Sequence, residues 1–297
     1  MNRKAQSAME YLMTYGWAIL VVAVVLGALF SLGVFNPLTF APRANPGSCQ
    51  VFRPYGAGTS TDINLAGVCN NELPKFVSIL EASGQHVYYA INSLPLLSSG
   101  NVPWSATLWL YDPSIYATGP DCIAFSYGWS SWGDIPEYDG FALEADHAGT
   151  YYIKTNGGAI GVGPVFQSKW MFLAATYNGL YINGYDYSSN SMNYVSVLQS
   201  STLVPALEAF IGWDGHHNDL CSASIANVQI YNASLSPSTV NSIYYEGIGG
   251  APINLQNLVA WWPLNGDSQD YSGNGYQASA SAGPFYTSGW SSAYTPP

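Results

Sequence analysis

One carboxylate stands where an ionisable group is expensive. Glu10 opens an apolar block, and from Leu12 to Phe35 there is no Asp, Glu, Lys, Arg or His. A carboxylate at such a place needs a partner, so Glu10 reads as functional; the bland alternative sets it at headgroup depth, in water. Other chemistry-bearing residues are sparse. Cys49, Cys69, Cys122 and Cys221 contain no Cys-x-x-Cys pair, so zinc-site spacing is missing. Three disulfide connectivities are open. The one expected joins Cys49 to Cys69 across a short loop and Cys122 to Cys221 between distant strands; free buried thiols are the alternative. His86 and His147 stand apart, and His216 and His217, being adjacent, would point to opposite faces of a strand. His216-His217-Asn218-Asp219 therefore reads as a surface hairpin. Asp134, Glu137 and Asp139 share with a glycosidase pair only that they are carboxylates. No Gly-Lys phosphate loop and no Gly-x-Ser-x-Gly elbow occurs. The sequence thus predicts no enzyme. Asp267, Asp270 and Asn274 are neighbouring oxygen donors of the kind Ca²⁺ takes, though Asp-x-Ser-Gly-Asn-Gly also makes a plain turn. No other cofactor is expected. Asn232-Ala233-Ser234 is the single N-glycosylation sequon.

These residues are held by two kinds of element. About twenty apolar residues in a helix cross a bilayer core, and residues 6–35 are predicted to be one hydrophobic helix. Arg3 and Lys4 before it place the N-terminus on the cytoplasmic side and the rest outside the cell. There the four cysteines would meet an oxidising medium. Pro37, Pro42 and Pro46 make 36–48 a linker. Residues 49–100 are predicted as a small β collar module. From 101 onward, short apolar runs alternate with Gly, Asn, Asp and Ser turns, the spacing of an all-β sandwich. The runs include Ser105–Tyr111, Ile123–Tyr127, Gly140–Ala145, Trp170–Tyr177, Ala209–Gly212 and Ile225–Tyr231. Two Asn-Gly pairs, Asn178-Gly179 and Asn183-Gly184, carry the strongest short hairpin signal. The fold class is mainly β behind one long N-terminal helix.

The stretch Lys4-Ala5-Gln6-Ser7-Ala8-Met9-Glu10-Tyr11-Leu12-Met13 resembles the class III signal peptide of archaeal type IV pilins. The resemblance covers about 35 residues. It implies cleavage by a prepilin peptidase between Ala5 and Gln6, with 1–5 as the signal peptide and Glu10 as the fifth residue of the mature chain. It further implies a filament subunit, a single-pass membrane protein until pilus assembly machinery packs its helix with those of other copies. The physics agrees. Cleavage frees an amine at Gln6, one helical turn from Glu10, with a reference pKa near 8. Gly16, Ala18, Ala23, Gly27, Ala28, Ser31 and Gly33 permit close helix approach. A secretory signal peptide, the rival reading, has a shorter apolar region and a small-x-small site after it.

A second resemblance rests on Lys169-Trp170-Met171-Phe172-Leu173-Ala174-Ala175-Thr176-Tyr177-Asn178-Gly179, then Tyr181-Ile182-Asn183-Gly184, and on Ile225 to Ser236. Together they look like the laminin-G-like, concanavalin A-like jelly roll. Ser236-Pro237 would start that family's short helix, with Ser as N-cap and Pro at N1. Leu258-Val259-Ala260-Trp261-Trp262-Pro263-Leu264-Asn265-Gly266 is similar to the segment that opens such a domain, yet here it comes last. The expectation is a circular permutation over 101–297, the opening strands at 256–290 completing the same sheet, or alternatively a neighbour's. Some laminin-G-like domains bind Ca²⁺, and lectins stack sugars on exposed Tyr and Trp.

The formal net charge of −11 argues against nucleic acid as a partner. Charged residues are 8% and aromatics 15%, a composition that folds rather than stays disordered. The expected function is a pilin in an archaeal surface filament, self-assembled through its helices, with the lectin-like domain displayed for adhesion. The alternative is a membrane-tethered or minor-pilin adhesin that binds surface glycans.

Overall fold

The computed structural model describes Tyr15, 18–27, Pro74, 76–82, 85–95, 102–111, 121–128, 140–155, 158–187, 192–199, 208–215, 220–283, 285–288 and Tyr294. Two compact units are present. In the N-terminal unit Tyr15 and residues 18–27 are helical and exposed. Among the described residues no helix is long and apolar enough to cross a membrane. Ala5, Gln6 and Glu10, most of the apolar block and the 36–48 linker lie outside the described residues.

The second unit is a sandwich of two antiparallel sheets. Its larger sheet runs β12 (Asn193–Leu198), β11 (Tyr181–Tyr187), β10 (Trp170–Tyr177), β5 (Trp104–Tyr111), β14 (Ser224–Tyr231), β1 (Val77–Ile79) and β17 (Phe285–Thr287), with β15 (Leu258–Trp262) also on β14. The facing sheet runs β16 (Ser279–Ala280), β4 (Tyr89–Ile91), β13 (Ala209–Ile211), β6 (Cys122–Tyr127), β7 (Phe141–Ala145), β8 (Thr150–Thr155) and β9 (Gly158–Pro164). A short pair, β2 (Glu81–Ala82) and β3 (Gln85–His86), stands apart.

The core explains the sequence pattern. β10 is apolar along nearly its whole length, Thr176 excepted, because both of its faces are covered. Met171, Leu173, Ala175 and Tyr177 face the other sheet, and Trp170, Phe172 and Ala174 face a second, outer cluster. Trp104 of β5 stacks on Phe141 of β7 across the interior, ring centroids 3.6 Å apart. Each such large side chain taken fully from water contributes about 1.5–3 kcal/mol. The outer cluster is roofed by a helix, Pro237–Tyr245, whose Val240 and Ile243 are buried on it. Ser236 caps this helix by accepting from Thr239 N, and Pro stands in its first turn. β14 is interrupted at Asn227, which adopts φ 53°. Its side chain repays the strain by accepting from Gln229 Nε2 and Trp261 Nε1 and donating to the Gly250 carbonyl.

Two expectations change. Residues 77–91, assigned from sequence to a collar module over 49–100, include two strands of the sandwich itself: β1 lies between β14 and β17, and β4 between β13 and β16. Three-residue strands cannot bury a face alone, and Val77, Leu80, Val87, Tyr89 and Ile91 reach full burial only inside these sheets. Asn183-Gly184 is not a turn but lies inside β11; only Asn178-Gly179 turns the chain, between β10 and β11. The late segment joins the chain's own sheets, β15 on β14, β16 on β4 and β17 on β1.

Candidate functional site

β11 places Tyr181, Asn183, Tyr185 and Tyr187 on one face, since side chains alternate along a strand. The cross-strand register sets Tyr194 of β12 opposite Tyr185, and Ser196 opposite Asn183. The roofing helix covers the sheet's outer face further along but stops short here. Between its first turn and β11–β12 lies a hollow of about 370 Å³. Asn178, Tyr181, Asn183, Tyr185, Tyr194, Ser196 and the 234–237 segment line it. Tyr181 is 41% and Tyr194 50% exposed, high values for rings of this size. Tyr194 lies over the buried Tyr185, centroids 5.2 Å apart.

The polar groups are fixed. The Tyr194 hydroxyl donates to Asn183 Oδ1 at 3.1 Å, and Asn183 Nδ2 donates to Thr176 Oγ1 at 3.1 Å. Asn178 Oδ1 accepts from the N–H groups of Leu180 (3.0 Å) and Tyr181 (2.7 Å), which leaves its amide nitrogen as donor. Burial pushes the Tyr185 hydroxyl above its ordinary pKa, against a hydrogen bond with Thr176. Aromatic faces beside amides and hydroxyls in fixed directions suit a ligand with one apolar face and a rim of hydroxyls.

The facing sheet carries a second aromatic group and a row of titratable side chains. Tyr88 lies 4.3 Å from Trp213 and 6.3 Å from Phe210, centroid to centroid. In the row, His147 Nδ1 is 2.8 Å from Asp121 Oδ1, Lys154 Nζ is 3.6 Å from Asp121 Oδ2, and Lys154 Nζ is 2.6 Å from Glu144 Oε1. Burial pushes the Glu144 carboxyl up to about 8, although Lys154 opposes it. Burial also raises Asp121, but its bonds with His147 and the Lys154 charge outweigh that and hold it below its usual range. The hydrogen bond to Asp121 raises His147.

Cys122 and Cys221 form a disulfide; Cys49 and Cys69 lie outside the described residues, as do Asp134, Glu137, Asp139 and His216 to Asp219. Asn232 is exposed in the turn after β14, beside the cleft wall. Asp267, Asp270 and Asn274 come together in one turn. Asp270 accepts from Trp261 N, Ser272 N, Ser272 Oγ and Tyr276 N. Asp267 accepts from Gln269 N and the Tyr271 hydroxyl, and Asn274 Nδ2 donates to the carbonyls of Leu258 and Val259. As placed, the three residues brace their own loop, and Asp270 and Asn274 tie it to the backbone of β15. Among the described residues no group of three His, Cys, Asp or Glu side chains is arranged to hold a metal. Sequence reasoning missed Tyr181, Asn183, Tyr185 and Tyr194. The available signal was the period-two recurrence of Tyr and Asn through 181–187.

Residues 83–241, more than half of the chain, match a family model described as the concanavalin A-like lectin/glucanases superfamily. Among solved structures, a candidate carbohydrate binding protein of Bacteroides ovatus superposes with a TM-score of 0.54 at 11% identity. That match covers 72% of this chain and 60% of the other. The active domain of tailspike protein 2 of bacteriophage CBA120 gives 0.46 at 14% identity, over 66% of this chain and 32% of the other. Domains LG4-5 of the mouse laminin α1 chain give 0.37 at 17%, over 56% and 44%. The chain thus spans less than two thirds of the length of these proteins. No curated protein matches the sequence.

Proposed function

The chain belongs to the concanavalin A-like lectin/glucanases superfamily, and on that premise we propose that it is a glycan-binding adhesin of the cell surface, without enzymatic activity. The observation that carries the proposal is the cleft on β11–β12. There half-exposed Tyr181 and Tyr194 stand beside the oriented amides of Asn178 and Asn183. A pyranose has an apolar C–H face and a ring of hydroxyls, and the cleft answers both. A glycan array probed with the full chain in detergent tests it, alongside Tyr194→Ala and Trp213→Ala. Binding lost in Tyr194→Ala supports the cleft. Binding lost only in Trp213→Ala moves the site to the facing sheet, and an array without signal refutes the function.

A second reading is carried by the N-terminal sequence alone. Lys4 to Met13, with the bond Ala5–Gln6 and the carboxylate Glu10, favours a pilin-like subunit. Cleaved, it leaves the membrane for an extracellular filament, its 6–35 helices packed together and the sandwich displayed outside. Mass spectrometry of the mature N-terminus and negative-stain microscopy test this. An uncleaved chain that forms no fibres leaves the tethered adhesin.

A further inference from the structure

The chemistry of the cleft restricts which sugars it can hold. None of its ten lining residues is Asp, Glu, Lys, Arg or His. The sequence strengthens the point, because between Asp186 and Glu208 there is no charged residue at all. Recognition of a carboxylate or sulfate normally uses a cation or several converging N–H donors.

The one feature that could stand in for a cation is the N-terminus of the helix Pro237–Tyr245, whose first turn forms a wall. Most of its donors are already used or missing, Val240 N among them, which donates to the Ser236 carbonyl. Pro237 has no N–H, and Thr239 N donates to Ser236 Oγ at 3.2 Å. The hydroxyls of Ser238 and Thr239 each lie 2.8 Å from Ser236 Oγ. Asn183 presents its carbonyl oxygen on the cleft side, where it accepts from Tyr194 and has a second lone pair for a sugar O–H. An anion meeting that oxygen is repelled. The net charge of −11 adds a long-range field of the same sign.

Resting on the glycan-binding reading above, we infer that the cleft takes neutral hexopyranosides and rejects acidic ones such as sialic acids, uronates and sulfated sugars. An apolar sugar face lies on Tyr194 and Tyr181, and ring hydroxyls donate to Asn183 Oδ1 and accept from Asn178 Nδ2. Because no charge takes part, binding is insensitive to salt.

The test measures retention of the full chain in detergent on immobilised neutral polysaccharides (mannan, galactan, a β-glucan) and acidic ones (polysialic acid, alginate, heparin), at low and high salt. The expected result is retention on a neutral polymer at both salt levels, weakened about tenfold in Tyr194→Ala, a loss in the range of one aromatic contact. Ser196→Lys, which brings a cation into the cleft, is expected to gain salt-sensitive retention on the acidic polymers. Retention of the parent on acidic polymers, lost in Tyr194→Ala and weakened by salt, overturns the inference while leaving glycan binding intact. Neutral binding indifferent to both substitutions overturns it for this cleft. Retention on neither class removes the glycan reading itself.

Discussion

Removing the Cys122–Cys221 bond is the perturbation whose size follows most directly from the structure. The bond closes a segment with a sequence separation of 99 residues, from the start of β6 to just before β14. Opening a loop of about 100 residues gives the unfolded chain conformational freedom worth about 4.7 kcal/mol at 25 °C. A single domain has about 5–15 kcal/mol in all, so the loss takes a third of it or more. Both sulfurs are buried, so the double variant Cys122→Ala, Cys221→Ala keeps small apolar side chains there and adds little cavity cost. Urea unfolding followed by tryptophan fluorescence measures the difference, with the m-value checked for constancy. The expected outcome is a loss of about 3–5 kcal/mol, with glycan retention preserved below the transition because the cleft lies on the other sheet. A loss below about 1 kcal/mol at unchanged m would refute the entropic reasoning.

Three further outcomes are expected. Glu144 keeps its proton in the folded chain to about pH 8, whereas an unfolded glutamate loses it near pH 4.3. The folded state therefore holds more protons between those values, and this contribution, complete below the lower, falls as pH rises through the upper. Thermal melts across that window should show Glu144→Gln gaining on the parent as pH rises; parallel profiles would count against the assignment. Gly140→Ala sets a Cβ 2.0 Å from the Tyr127 carbonyl oxygen, so denaturant melts should show a loss of about 1–3 kcal/mol or more. Ser236→Ala removes the N-cap and should cost about 1 kcal/mol by urea titration, loosening one wall of the cleft.

The parts of the fold that were plain in the sequence are those with two-sided burial or local chemistry. β5, β10 and β14 are long, mostly apolar runs because both their faces are covered, one by the facing sheet and the other by the outer cluster under the helix, and Ser236-Pro237 announces the helix by capping alone. β9 and β12 escaped notice. They are the outer strands of their sheets, paired on one side only, and take Gly, Ser and Asn without loss. Gly184 misled in the other direction. It suggests a turn, but a Cβ there would meet Val162 Cγ2 at 2.4 Å, so glycine serves close packing within a strand. β1 and β4 could not be placed because their partners are remote, Val77 pairing with Thr287 and Ala90 with Ser279. The cleft needed both the β11–β12 register and a helix start some forty residues later in the chain, a juxtaposition that spacing alone does not encode.

The placing of β15, β16 and β17 has a consequence for how the protein is made. β1 and β4 come early in the chain, pair on one side with β14 and β13, and wait on the other side for residues beyond 278. Until those residues leave the ribosome, each layer keeps one open edge, at β1 and at β4, that β17 and β16 later cover. Any message cut short before that point yields a product with raw borders that recruit other strands, and a chaperone has reason to hold the nascent chain until its final ribbon is out.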